Sequence, residues 1–133
     1  MKIEVSVGEL VDKVSILSIK LKKMTDKQKL KNINKEFELL KASMEEIGIS
    51  LNSHEFEKLE SVNLKLWNIE DQIRIKESLN EFDDEFIKLA RSVYFENDER
   101  SAIKKEINIK YDSDLVEEKE YVKYKKPTSN QSK

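Results

Sequence analysis

Leu30, Ile33, Phe37, Leu40, Met44 and Ile47 recur at alternating steps of three and four, and Gly48 follows the last of them. A run of that period buries one side of a helix over about five turns, and a glycine just past its end is a natural stop. The same spacing appears earlier in Leu10, Val14, Leu17, Leu21 and Met24, and later in Phe56, Leu59, Val62, Leu66, Ile69 and Ile73. Only 2 Gly and 1 Pro stand in 133 residues, too little turn chemistry for a many-stranded protein. The pattern predicts an all-α fold, an antiparallel bundle of four or five helices with a short extended N-terminus around Ile3, Val5 and Val7. Length argues for one domain, read as residues 1–124, with a disordered tail over 125–133.

Local signals set the boundaries. Ser6 and Glu9 form a capping box that starts helix 1 near Val7 and lets it run to about Lys23. Ile16 and Ile19 lie opposite its main stripe, so this helix should be covered on more than one face. Thr25 with Gln28 makes a second capping box, and Asn52 with Glu55, or Ser53 alone, can cap helix 3. The segment Leu115 to Tyr124 reads as a short helix or an arm lying on the bundle.

Charge excludes several classes. The 25 basic and 27 acidic residues give a formal charge of −2, without the basic stripe expected of a nucleic-acid binder. No apolar run approaches the roughly 18 residues of a membrane span, and the N-terminus lacks the apolar core of a signal peptide. Zero cysteines remove disulfides and thiol chemistry. The expectation is a cytoplasmic protein bound to neither membrane nor nucleic acid. One histidine, His54, cannot build a zinc site or a Ser-His-acid set, and no glycine-rich phosphate loop exists, so neither metal nor cofactor is expected.

Phe86 to Asn108 carries the most chemistry. Phe86, Ala90 and Val93 share a helical face, and the same steps then reach Asn97, Arg100, Lys104 and Asn108. An apolar stripe becomes a polar, cationic seam, provided the helix continues through Asn97-Asp98 rather than restarting with Asp98 as a cap. Arg forks onto carboxylate or phosphate, Lys adds a point charge and Asn fixes orientation, so the seam suits an anion. Solvated side chains, or ion pairs from Arg100 and Lys104 to Glu9, Asp12 or Glu70, explain the same pattern without a ligand. Asp12 and Lys13 have no local capping duty and are candidate facing walls. Trp67, Glu70 and Arg74 form a polar-aromatic flank beside the helix 3 stripe, and Tyr94 sits at the edge of the buried face.

SVGELVDKVSILSIKL near the start, LWNIEDQIR in the middle and FIKLARSVYFENDERSAIKKEIN followed by EEKEY resemble a family of small uncharacterised helical proteins from bacteria, notably marine ones, and phages. The shared pattern falls on Gly8-Glu9, Asp12-Lys13, Asn97-Asp98-Glu99-Arg100, Ile103-Lys104 and Ile107-Asn108. The resemblance brings no activity with it, but its motif residues coincide with the seam. The functional expectation is therefore binding of an anionic small molecule, or of a protein partner's acidic segment. Arg100 and Lys104 would hold the anion, and Asn97 and Asn108 would orient it. Two other classes fit: a small metal-independent enzyme acting on an anionic metabolite, with Asp12 or Glu70 as acid or base, and a structural homodimer joined through the helix 2 seam.

Overall fold

The computed structural model describes residues 1–126, and among them it holds four helices. These are α1 (Val7–Lys23), α2 (Lys27–Glu46), α3 (His54–Ser78) and α4 (Asp84–Lys110). The expected disordered tail falls mostly on residues 127–133, outside the described residues, and Lys125 and Lys126 end the arm described below.

Each helix begins on a side-chain cap that satisfies one of its orphan N–H groups. Ser6 accepts from Glu9 N, Ser53 from Phe56 N and Asp83 from Phe86 N. At α2 the cap is Asp26, which accepts from Lys29 N, and not Thr25. Both residues are N-cap formers, and the carboxylate one position later also meets the positive helix end. Gly48 follows α2 with φ 99°, a conformation that favours glycine.

α1 is the centre of the molecule. It packs against α2, α3 and α4, whereas α2 packs on no helix but α1. The core joins Val11, Val14 and Leu17 of α1, Phe37 and Met44 of α2, Phe56, Leu59 and Val62 of α3, and Ile103 and Ile107 of α4, with Ile49 closing it. Coverage on several faces explains why Gly8, Asp12 and Ser15, outside the apolar stripe, are also buried. Phe37 and Met44, the centre of the heptad-like run, face this core, which leaves Leu39 and Ile47 as the exposed apolar residues of that region.

α4 turns back along α3: Lys76 meets Asp83 near the connection, then Lys58 meets Glu106, and Lys110 meets Glu55 at the far end. At 1.5 Å per residue α3 and α4 are about 38 and 40 Å long against about 26 Å for α1, so they outreach it. α4 runs unbroken through Asn97-Asp98, so the described residues hold no fifth helix. The seam nevertheless starts differently from expectation. Ala90 is exposed and Leu89 is buried, and the core face continues through Ile103 and Ile107. Asn97, Arg100 and Lys104 therefore run along the edge of the core face, where half-burial suits polar groups.

Between Asp112 and Lys126 the chain forms neither helix nor strand. After a turn at Asp112 (φ 50°), residues 113–126 lie back along α4 as an arm. Lys119 meets Ser101, Glu118 meets Lys105, and Tyr124 donates to Asp98 while stacking edge-on against Tyr94.

Candidate functional site

The site is built where α1 begins. A helix start leaves its first N–H groups without partners, and here each one has a named acceptor. Val7 N donates to Ser113 Oγ (3.0 Å), Gly8 N to Asn108 Oδ1 (2.7 Å), Glu9 N to Ser6 Oγ (3.1 Å) and Leu10 N to the Ser6 carbonyl (3.1 Å). One of these acceptors, Asn108, stands in the last turn of α4, and another, Ser113, at the start of the arm. The approach needs glycine, since a Cβ on Gly8 would stand 2.5 Å from the Lys104 carbonyl oxygen and 3.0 Å from Asn108 Oδ1.

One turn further along, Asp12 enters the interior with 1% of its surface exposed. Burying a carboxylate is costly unless its oxygens are paired and hydrogen-bonded. Arg100 supplies a two-point fork, Nε to Oδ1 at 2.9 Å and Nη2 to Oδ2 at 2.5 Å. Asn63 Nδ2 adds a third bond to Oδ1 at 2.8 Å and a fourth to Ser15 Oγ, also at 2.8 Å. Lys104 Nζ lies 3.9 Å from Asp12 and bonds Glu9 at 2.6 Å. The hydrogen bonds that Arg100 donates to Asp12 raise the Arg100 pKa above its ordinary value, against the desolvation that would lower it. The network joins α1, α3 and α4 at one point.

The polar seam thus splits around the Asp12–Arg100 pair. On one side a cleft of about 560 Å³ is lined by Ile16 and Ile19 of α1, by Asn63, Leu66, Trp67, Glu70, Asp71 and Arg74 of α3, and by Asn97 and Arg100 of α4. Arg100 keeps Nη1 on this side, 3.5 Å from Asn97 Oδ1. Glu70 bonds Arg74 at 2.6 Å on its own helix, an exposed pair one helical turn apart. Lys104 and Asn108 line a different pocket, beneath the arm.

Of the residues singled out in the sequence, Trp67, Glu70, Arg74, Asn97 and Arg100 come together in the cleft, with Asp12 beneath it. Lys13 points the other way and pairs with Glu36 of α2 at 3.6 Å. Tyr94 belongs to the ring cluster with Phe95 and Tyr124 under the arm. Ser15 and Ser113 carried no sequence signal, because small hydroxyls fit any helix or turn. Gly8 did carry one: glycine in the first turn of an amphipathic helix marks a close approach. Among the described residues, no three His, Cys, Asp or Glu side chains gather as metal ligands, and no buried side-chain nitrogen or oxygen lacks a partner. No helix among them is long and apolar enough to cross a membrane.

No curated protein and no solved structure matches the chain. A family model does match it over residues 1–133, and the chain belongs to that family, a family of unknown function (DUF6165).

Proposed function

We propose that the protein is a binding module whose cleft between α1, α3 and α4 takes a small molecule carrying one anionic group together with hydrogen-bond donors. The reading is supported by one observation above the rest: Trp67, Glu70, Arg74, Asn97 and Arg100 line a single opening of about 560 Å³. Arg100 is held rigid by Asp12 and still has an Nη1 donor turned toward Asn97, so an anion meets a pre-oriented group. Trp67 with Ile16 and Leu66 offers an apolar wall for the rest of the ligand.

Charge narrows the class. Glu70 and Asp71 share the lining with Arg74 and Arg100, Glu70 is paired with Arg74, and Asp12 already neutralises Arg100. A polyanion such as a nucleotide would meet no net positive field there. A monoanion whose ammonium or hydroxyl groups reach Glu70 and Asp71 uses both halves of the lining. Amino acids, hydroxy acids and sugar acids have this form.

The test is a thermal-shift and calorimetry panel of such compounds on the wild type, Trp67→Ala and Asn97→Asp. The last adds a carboxylate beside Arg100 without entering the core. A compound that stabilises the wild type and loses its effect in both variants supports the cleft. If every compound leaves the wild type unmoved, or shifts all three proteins alike, the reading fails.

A further inference from the structure

Asn108 is 3% exposed, and its Oδ1 is fixed by the bond from Gly8 N. That bond assigns the amide orientation, because an N–H can only donate to the oxygen. The other end, Nδ2, makes no hydrogen bond to any described residue, yet no buried side-chain nitrogen lacks a partner. Nδ2 therefore reaches accessible surface, and the surface at hand is the pocket of about 190 Å³ beneath the arm. Ser101, Lys104, Lys105 and Asn108 of α4 line it with Glu117 and Lys119 of the arm. Three lysines, a hydroxyl and the free end of Asn108 thus line one small space with Glu117, the lysines themselves being paired to Glu9, Glu118 and Glu117.

We infer that this pocket binds a tetrahedral oxyanion, a phosphate or the phosphate end of a small metabolite, beneath the C-terminal arm. Lysines act as point charges and suit three-dimensional oxyanions, where a planar carboxylate is better met by an arginine fork. A volume of about 190 Å³ admits a phosphate group and a few further atoms. Lys105–Glu118 and Lys119–Glu117 are exposed pairs, 54%/72% and 37%/49% by side chain, of the weak kind that a doubly charged anion displaces.

The arm is suited to closing the site. Ser113 N bonds the Asn108 carbonyl, and among the described residues no backbone–backbone hydrogen bond holds the arm after that. Its attachment is by side chains, Lys119 to Ser101 and Tyr124 to Asp98 among them. An anion joining Lys104 and Asn108 of α4 to Lys119 of the arm adds the missing tie. The site is separate from the cleft of the preceding subsection, and the failure of either leaves the other standing.

The test titrates inorganic phosphate, and in parallel a three-carbon phosphate monoester, into full-length ¹⁵N-labelled protein at ionic strength held constant with chloride. Saturable shifts should appear at Ser101, Lys104 and the Asn108 side-chain amide. Limited proteolysis within residues 113–126 should slow in the same range. Asn108→Asp keeps the acceptor for Gly8 and replaces the free donor with a negative oxygen, so it should weaken binding by at least about tenfold. Lys119→Gln on the arm should weaken it several-fold and abolish the protection from proteolysis; it decides the matter if Asn108→Asp does not fold. Tighter binding of the monoester than of phosphate identifies a metabolite as the source of the group, and the reverse identifies the free ion. Shifts that follow ionic strength alone, no saturable shift, or equal affinity in wild type and the folded variants would each overturn the inference.

Discussion

Removing the guanidinium at Arg100 should be among the most damaging single changes available to this chain. Asp12 is 1% exposed, and Arg100 supplies two of the three hydrogen bonds to its carboxylate. Arg100→Met fills a similar volume but leaves the charge with Asn63 at 2.8 Å and Lys104 at 3.9 Å. Breaking one partner of such a buried pair costs about 3–5 kcal/mol, because the remaining charge stays buried. Asp12→Leu should cost less, since the Arg100 side chain is 27% exposed and water can solvate the freed guanidinium. The double variant Asp12→Leu/Arg100→Met removes both charges and should return to within about 1–2 kcal/mol of the wild type, giving a coupling of at least about 2–3 kcal/mol once the cost of Asp12→Leu is added. Arg74→Met is the control: its pair with Glu70 is 73%/45% exposed, and its loss should change stability by less than about 1 kcal/mol. Urea unfolding followed by circular dichroism reads all four. With a slope of about 1–3 kcal/mol/M, Arg100→Met should lower the midpoint by at least about 1 M. Additive costs in the double variant, or an Arg100→Met midpoint no lower than that of Arg74→Met, would show that Asp12 is not sustained by Arg100.

Two further perturbations probe the contacts that α4 makes with the start of α1 and with the arm. Gly8→Ala gains up to about 1 kcal/mol of helix propensity, but its Cβ would meet the Lys104 carbonyl oxygen at 2.5 Å, and relieving that contact stretches the Gly8–Asn108 bond. Overpacking and a weakened buried bond each cost about 1–3 kcal/mol, so a net loss of about 1–5 kcal/mol is expected in urea unfolding, and a gain in stability would refute the close approach. Midway along α4, Tyr124 donates to Asp98, which pushes its pKa up to about 12. A phenol raised in the docked state stabilises arm docking fully below the free tyrosine pKa near 10, and that contribution disappears as pH rises through the docked value. Absorbance at 295 nm should show one of the 4 tyrosines titrating late, and Asp98→Asn should bring it back toward the others; an unchanged late step would mean that Asp98 does not hold the arm.

The helices were legible in the sequence because apolar spacing, caps and a terminal glycine all pointed the same way. The α1 boundaries and the Ser6 cap follow from Ser6-Glu9, and the Gly48 stop from its place after Ile47. Where two local signals competed, at Thr25 and Asp26, the later cap prevailed, and nothing short of three-dimensional context separates two adjacent N-cap formers. The covering of α1 on several sides was also foreseeable from Ile16 and Ile19, and it is what drew Asp12 into the interior. The chain's choice of partner for each charge was not. Glu9, Asp12 and Glu70 all offered carboxylates to Arg100, and Glu70 is instead held by Arg74 on its own helix. A helical period fixes which residues share a face, but the pairing of two faces depends on crossing angle and depth, which no one-dimensional pattern carries.

That limit bears directly on function. A charged seam beside an apolar face looks the same in sequence whether it holds a ligand or holds the protein together, since both need cations against a partly covered surface. The two uses separate only when donors are counted. Arg100 has five N–H donors and Asp12 engages two of its nitrogens, which leaves Nη1 facing Asn97 and the cleft. Lys104 is bound to Glu9 and yet lines the pocket under the arm. Asn108 gives its oxygen to the start of α1 and keeps both amide hydrogens. On the proposed reading, the binding capacity lies in the donors that folding leaves over, so the residues most able to meet a ligand are also those whose removal most disturbs the fold. Substitutions that change the free end of such a residue and spare the bonded end, as Asn108→Asp does, separate the two roles where alanine cannot.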